Sequence, residues 1–432
     1  MNEWANVALA DIADIRFSNV DKKDIHGEVP VRLCNYMDVY GNDFITANLQ
    51  FMEASASHAE IECFKVEYGD VIITKDSETP DDIGIPAVVV DEIANLVCGY
   101  HLALIKPHRE KIDSIYLAKQ LSSKPIAARF AQLANGSTRY GLSSSAIAST
   151  SVPLAPLAQQ RRIAEILSTL DEAIAQTEAL IAKHQQIKAG LMHDLFTRGV
   201  TPDSHLRPIR EQAPDLYKES PLGWIPKEWE VERLGDILQR CGGYLQTGPF
   251  GSQLHAHEYQ TDGVPVVMPQ DINDGLVGTE QIARIHEGRA EELSRHRMRL
   301  GDIVIARRGD LSRAAAISEA EQGWVCGTGC FLLRLGQSAL RPDYAAYVYR
   351  QDFLQRQIAA TAVGTTMPSL NNSVMEALLF PFCGEDEQLR IVERLKGAEQ
   401  EIQALTEGLF ANHQLKHGLM HDLLTGHVRV KV

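Results

Sequence analysis

Two short basic stretches carry the clearest chemical possibilities in this chain. Val71-Ile72-Ile73 runs into Thr74-Lys75-Asp76-Ser77-Glu78, and Ile303-Val304-Ile305 runs into Ala306-Arg307-Arg308-Gly309-Asp310. Lys75 and Arg307 therefore stand at equivalent places just past an apolar strand, with Arg308 beside the second. A cation at a strand end can reach a phosphate or a guanine edge; the same pattern also describes a solvated loop with local charge pairs. A third stretch, Gln246-Thr247-Gly248-Pro249-Phe250-Gly251-Ser252-Gln253, joins glycines that allow close approach to amides suited to adenine edges. Gln246, Ser252 and Gln253 are its candidate contacts.

Catalytic constellations do not assemble. The chain has no Gly-x-x-x-x-Gly-Lys-Ser/Thr phosphate loop, no His-Glu-x-x-His, no Asn-Pro-Pro, and no Pro-Asp followed by an acidic-x-Lys nuclease core. His193-Asp194 and His421-Asp422 recur, but adjacent helical residues do not face each other and no nucleophile is paired with them. The expectation is a non-catalytic chain. Of seven cysteines only Cys326 and Cys330 are close, and a zinc site needs two further ligands, so no metal is expected. Odd, scattered cysteines suit a reducing compartment. With no apolar run of about 18 residues and no signal-like start at Met1-Asn2-Glu3-Trp4, the expected location is cytoplasmic, without a membrane. The net charge of −15 opposes non-specific adhesion to polyanions, although residues 281–313 gather eight arginines against five acids.

The elements that must position these residues come in two copies. Gly190-Leu191-Met192-His193-Asp194-Leu195 returns 228 positions later as Gly418-Leu419-Met420-His421-Asp422-Leu423. The same shift carries Pro153 onto Pro381, Gln160 onto Gln388, Glu165 onto Glu393 and Lys188 onto Lys416. Such a repeat predicts two related units about a pseudo-twofold axis. Ile163, Leu167, Leu170, Ile174, Thr177, Ile181, His184, Lys188 and Leu191 alternate in steps of four and three, and the second copy keeps that register from Ile391 to Leu419. This is a coiled-coil seam. A lone helix with one apolar seam is marginal in water, so the copies are expected to pack on each other, antiparallel under the twofold. The polar seam residues His184, Lys188, Asn412 and Lys416 read either as solvated ends or as a docking surface. Short β-rich runs and helical patches near 115–134 and 343–360 make the rest α+β.

The domain organisation expected is a mixed α/β domain over 1–152, a helix over 153–199, a proline-rich linker over 200–227, a second domain over 228–380, a second helix over 381–426 and a tail over 427–432. Pro153 and Pro381 are expected to precede the helices, and Gly199 and Gly426 to stop them.

Together these features resemble the specificity subunit of type I restriction-modification systems. The likeness rests on the paired helices, each opening with Gln-Gln-Arg-Arg-Ile (159–163) or Gln-Leu-Arg-Ile (388–391) and closing with Gly-Leu-Met-His-Asp-Leu. It rests also on the loops Arg32–Tyr40 and Gly248–Leu254. The first domain departs from it in lacking a glycine-rich stretch like Cys241-Gly242-Gly243. The resemblance implies a subunit that binds a split site in double-stranded DNA, one half per domain, with the helices setting the gap. It adds Asn35 and Tyr36 as candidate DNA contacts, and His184, Lys188, Met192, Asn412, Lys416 and Met420 as candidate partner contacts. Two methyltransferase subunits and restriction/translocase subunits are the implied partners. No cofactor is expected on this chain; S-adenosylmethionine, ATP and Mg2+ belong to the partners. The alternative from the residues alone is a coiled-coil scaffold that bridges two proteins without DNA.

Overall fold

The computed structural model describes residues 4–251, 253–361 and 370–431. It divides into two compact units, Met1–Leu180 with Leu405–Val432, and Ile181–Ala404. Each unit holds one α/β domain, the first part of one long helix and the last part of the other.

In the first unit the main sheet has five strands in the order Ala13–Phe17, Leu102–Pro107, Val71–Thr74, Pro86–Val89 and Phe44–Ile45. Val71–Thr74 and Pro86–Val89 are buried at every position, which is why they read as continuous apolar runs with no alternation. A second sheet pairs Val29–Cys34 with Met52–Ala56 and Leu96–Cys98. In the second unit, Tyr244–Thr247, Cys330–Arg334, Ile303–Ala306 and Ala314–Ala316 form a four-stranded sheet with Ile303–Ala306 likewise fully buried. A further four-stranded sheet is built around Val264–Val267. The helices Ser114–Leu121 and Lys124–Leu133 in one unit, and Pro342–Tyr349 and Asp352–Thr361 in the other, occupy the expected helical patches.

The long helices span Leu157–Thr197 and Glu385–Thr425, 41 residues each. They begin later than expected because Pro153 and Pro381 lie in strands, Ser151–Leu154 and Leu379–Phe382, which pair antiparallel with Ala5–Ala8 and Glu230–Arg233. Two-stranded pairs consist only of edges, where a residue without an N–H is tolerated. Gly199 and Gly426, in left-handed conformation at φ +66 and +75, follow the helix ends. The seam residues are all buried or half-buried along both helices. Their partners run in opposite directions: in the second unit His184 meets Glu401 at 3.3 Å and Lys188 meets Glu399 at 2.8 Å, while in the first Lys416 meets Asp171 at 2.7 Å and His413 meets Glu178 at 3.9 Å. This is the antiparallel coiled coil that the duplicated heptads imply.

The repeat has an atomic explanation. Gln160, fully buried, donates to the carbonyls of Ala155 and Lys111 at 2.7 and 3.0 Å and accepts from the Asp113 amide at 2.8 Å. Gln388 donates to Cys383 and Ala339 at 2.8 and 2.9 Å and accepts from Arg341 at 2.9 Å. Every partner is the 228-shifted counterpart of the other. Each glutamine satisfies backbone groups of the domain that helix formation alone would leave open, locking the helix start in place. The tyrosines Tyr116 and Tyr344 do the same for Pro153 and Pro381, donating to their carbonyls at 2.9 and 3.4 Å. Lys188–Glu399 and Lys416–Asp171 are likewise one ion pair written twice.

Residues 200–227 are not a loose linker. They include a hairpin, Tyr217–Ser220 with Gly223–Pro226, and Val200 and Ile225 join the core of the second unit around Trp229. Arg207 sits at 2.5 and 3.2 Å from the two oxygens of Glu387, both side chains 9% exposed. Prolines made the segment look unstructured; its buried charge finds its partner 180 residues away, which no local pattern reveals.

Candidate nucleic-acid interface

The second unit brings its expected contacts to one end of a sheet. Tyr244–Thr247 pairs with Cys330–Arg334, which pairs in turn with Ile303–Ala306, so the segments leaving Thr247 and Ala306 emerge side by side. The amide of Gly248 donates to the Cys330 carbonyl at 2.8 Å and that of Arg307 to the Gly329 carbonyl at 2.7 Å. The Thr328 hydroxyl donates to the Pro249 carbonyl at 2.9 Å. A Cβ at Gly248 would lie 1.9 Å from the Gly327 carbonyl oxygen, so only glycine admits this approach.

Within that cluster the expected roles change. Arg307 is half-buried. Its Nε donates to the Leu370 carbonyl at 2.8 Å, and its guanidinium lies 5.9 Å from the Phe250 ring centre and 5.7 Å from that of Phe331. It braces the loop by hydrogen bonding and cation–π contact. Arg308 is exposed and has no side-chain partner among the described residues. The other arginines of 281–313 divide in the same way: Arg289, Arg297 and Arg313 pair with Glu258, Glu287 and Asp310, and Arg284 donates to the Gly263 carbonyl. Arg295 and Arg299 join Arg308 as exposed, unpaired cations among the described residues. The Gln246 amide donates to the Arg295 carbonyl, placing that arginine beside the loop. Gln253 is exposed and closes its own turn, accepting from the Phe250 amide at 3.1 Å. Ser252 lies outside the described residues.

The first unit presents a different surface from the same place in the frame. Lys75 follows its strand as Arg307 does, and the shared clamp persists: Leu142 donates to the Lys75 carbonyl at 2.9 Å as Leu370 does to Arg307 at 3.1 Å. The Lys75 ammonium, however, is spent internally, 3.2 Å from Asp76 and 4.7 Å from the Tyr100 ring centre, with its side chain 12% exposed. Asn35 is the N-cap of the short helix Tyr36–Tyr40, its backbone amide donating to the Asp38 carboxylate at 2.7 Å. Tyr36 stacks on Tyr40 with ring centres 5.5 Å apart, and burial pushes its hydroxyl above the ordinary tyrosine range. Tyr36, Met37 and Tyr40 line a concavity with Asp76, Glu78, Asp82, His101 and Arg139. Tyr40 is 40% exposed, and the neighbouring Asp82 raises the pKa of its hydroxyl. This surface is aromatic and acidic. Sequence reading missed Tyr40 and Asp82; the signal available was the i, i+4 spacing of Tyr36 and Tyr40.

The six candidate partner contacts are largely engaged within the chain. His184, Lys188 and Lys416 form the seam ion pairs given above, Asn412 is a half-buried seam residue, and Met192 and Met420 pack against the cores of their units. Other residues face outward. Ile187 and Leu415, related by the 228 shift, are each 52% exposed.

No helix among the described residues is long and apolar enough to cross a membrane. A family profile described as the type I restriction modification DNA specificity domain matches residues 1–186 and again 226–411. The type I restriction enzyme MjaVIII specificity subunit of Methanocaldococcus jannaschii is 24% identical over 65% of this chain and 62% of its own length, so the match spans under two thirds of that relative. A proposed type I restriction enzyme MjaX specificity subunit from the same organism is 22% identical over 99% of this chain and 94% of its own. The crystal structure of the type I restriction-modification system S subunit from M. genitalium shares the fold, with a TM-score of 0.59 at 16% identity over 98% of this chain and 96% of that one.

Proposed function

Because the chain belongs to the type I restriction modification DNA specificity family, with one copy of the domain in each half, we propose that it reads a two-part target in double-stranded DNA, one half per unit. The observation that carries this reading is the pairing of one conserved frame with two unlike loop faces. The clamps at Gln160 and Gln388 and at Lys75 and Arg307 are repeated, while what projects beyond them differs. Two different faces on equivalent supports can read two different sequences. In the second unit Arg308, with Arg295 and Arg299, offers cations to phosphates and guanine edges. In the first, Tyr36 and Tyr40 offer apolar contact to a thymine methyl group, and Asp76 and Asp82 can accept from a cytosine amino group.

Partner subunits complete the activity. Two methyltransferase subunits dock on the helices and modify an adenine in each half, and restriction/translocase subunits add cleavage; S-adenosylmethionine, ATP and Mg2+ bind to them. The chain itself performs no chemistry. A net charge of −15 fits a reader whose partners supply part of the phosphate-binding surface. The outward apolar pair Ile187 and Leu415 is one contact per methyltransferase. The number of unspecified bases between the halves follows the length of the paired helices. The acidic face of the first unit favours a second reading, a protein-bridging scaffold.

Co-purification tests the docking. Ile187→Glu and Leu415→Glu should each lower the methyltransferase content from two to one per chain, and the double variant to none, with helicity unchanged. Retention of two in the double variant contradicts the assignment. Gel shift of the complex at stated salt separates DNA reading from scaffolding, because a scaffold shifts no duplex. Matched insertions of four residues, about 6 Å of helix each, near Gln176 and Ala404 should change the gap and leave both half-sites the same.

A further inference from the structure

The two helix ends carry the same residues and solve the same electrostatic problem differently. In the first copy Asp194 pairs with Arg198 one turn later, Oδ2 to Nη1 at 3.2 Å. In the second the aspartate is Asp422, but the position of Arg198 is taken by Gly426, whose φ of +75 turns the chain back so that His427 arrives over the last turn. The turn is closed by the Val428 amide donating to the Asp422 carbonyl at 3.1 Å. It is backed by Trp4, whose ring atoms would lie 3.3 Å from a Cβ at Gly426. His421, Asp422 and His427 thereby each offer one ligand atom, and these lie within 4.8 Å of one another. The rings of His421 and His427 are 5.2 Å apart.

We propose that this cluster is a binding site for a divalent transition-metal ion of the zinc class, an external cation standing where the first copy has the guanidinium of Arg198. Two imidazoles and a carboxylate form a ligand set that such ions favour, and it leaves at least one position open to water or to a side chain of a docked subunit. One imidazole is already set for the role. The Thr425 hydroxyl has a single proton, given to the His421 carbonyl at 2.5 Å. The contact of 3.1 Å between Thr425 Oγ and His427 Nδ1 therefore needs the proton on Nδ1, which in the neutral ring leaves the lone pair on Nε2. This is the outer-shell arrangement that fixes the tautomer of metal-binding histidines. Metal–ligand bonds of about 2.0–2.2 Å require only rotation of side chains that are exposed or half-buried. Ligation would fix the last residues of the chain against the helix, as Arg198 does in the first copy.

The test is titration of the purified full chain with Co2+ and Zn2+, with calorimetry and the visible absorption of Co2+ as readouts. The expected result is one equivalent bound at micromolar concentration or tighter, lost by at least tenfold in His427→Ala and in His421→Ala and kept in His193→Ala. The Co2+ spectrum should lack thiolate charge-transfer bands, which excludes the cysteines as ligands. Circular dichroism and melting of the metal-free variants should match the unsubstituted chain, since these side chains lie at the surface. Saturable binding unchanged in both histidine variants, binding only at millimolar metal, or a thiolate spectrum overturns the proposal.

Discussion

The two units share a skeleton and differ in what they show to a ligand. At the base of each domain, glutamine, tyrosine and seam ion pair are repeated position for position, with Glu399 in one ion pair where the other has Asp171; at the strand ends, one unit exposes Arg308 and the other stacks Tyr36 on Tyr40 beside Asp76 and Asp82. The lesson is that duplication preserved the groups whose hydrogen bonds are satisfied internally and released those that face outward. Buried polar groups are held by the cost of leaving a partner open; an exposed loop has no such constraint.

The comparison breaks most visibly at Arg207. The second unit buries the Arg207–Glu387 pair, while in the first the counterpart of Glu387 is the uncharged Gln159. Arg207→Ala leaves the buried Glu387 carboxylate without its cation, with only the Val200 amide still donating to it, and should destabilise the second unit by about 3–5 kcal/mol, read as a separate early transition in urea followed by hydrogen exchange. Equal loss of protection in both units would remove the asymmetry.

Next in size are Gln160→Ala and Gln388→Ala. Each opens three hydrogen bonds to buried backbone and should cost its own unit about 1–3 kcal/mol, by nearly the same amount. Costs that differ severalfold would mean that the repeated lock is not equivalent in the two units.

The smallest effect concerns pH. Burial raises the pKa of Asp43, but Lys119 and Lys416 outweigh it and hold the carboxyl below the usual range; Asp343 in the second unit is held low in the same sense, burial being outweighed by Arg341 and Lys396. A carboxyl whose pKa falls on folding contributes stability above the unfolded value, about 3.9, and loses it as pH drops through the folded value. Asp43→Asn should flatten the acid side of the stability profile of the first unit alone. Because Asp43 is 55% exposed, the change is under about 1 kcal/mol. A flattened profile in the second unit contradicts the pairing.

Much of this architecture is legible in the residues. The 228-residue shift and the heptad seam give the two helices and their antiparallel packing, because a repeated apolar period has few ways to be buried, and the short β-rich runs with their helical patches give the α+β class. The same shift flags Gln160 and Gln388 without revealing their role, since two of the three partners of each lie 47 and 49 residues upstream. The interface was harder to read. Lys75 and Arg307 are correctly matched as equivalents, yet both are consumed within the fold, by Asp76 and Tyr100 in one case and by the Leu370 carbonyl and two phenylalanines in the other. Sequence position cannot say whether a cation at a strand end faces out or in; that depends on side chains supplied from distant segments. Arg308, one residue on, is the cation left exposed.

The central claim is that each unit reads its own half of a split target. Its most direct test is to map modified adenines after methylation by complexes that carry Arg308→Ala or Tyr36→Ala, on a library in which both half-sites are randomised. Arg308→Ala should relax the sequence required at one half-site, with a loss of about 1–3 kcal/mol at the affected position, and leave the other intact, while Tyr36→Ala should do the reverse. Relaxation of the same half by both variants, or of both halves by either one, would contradict the account.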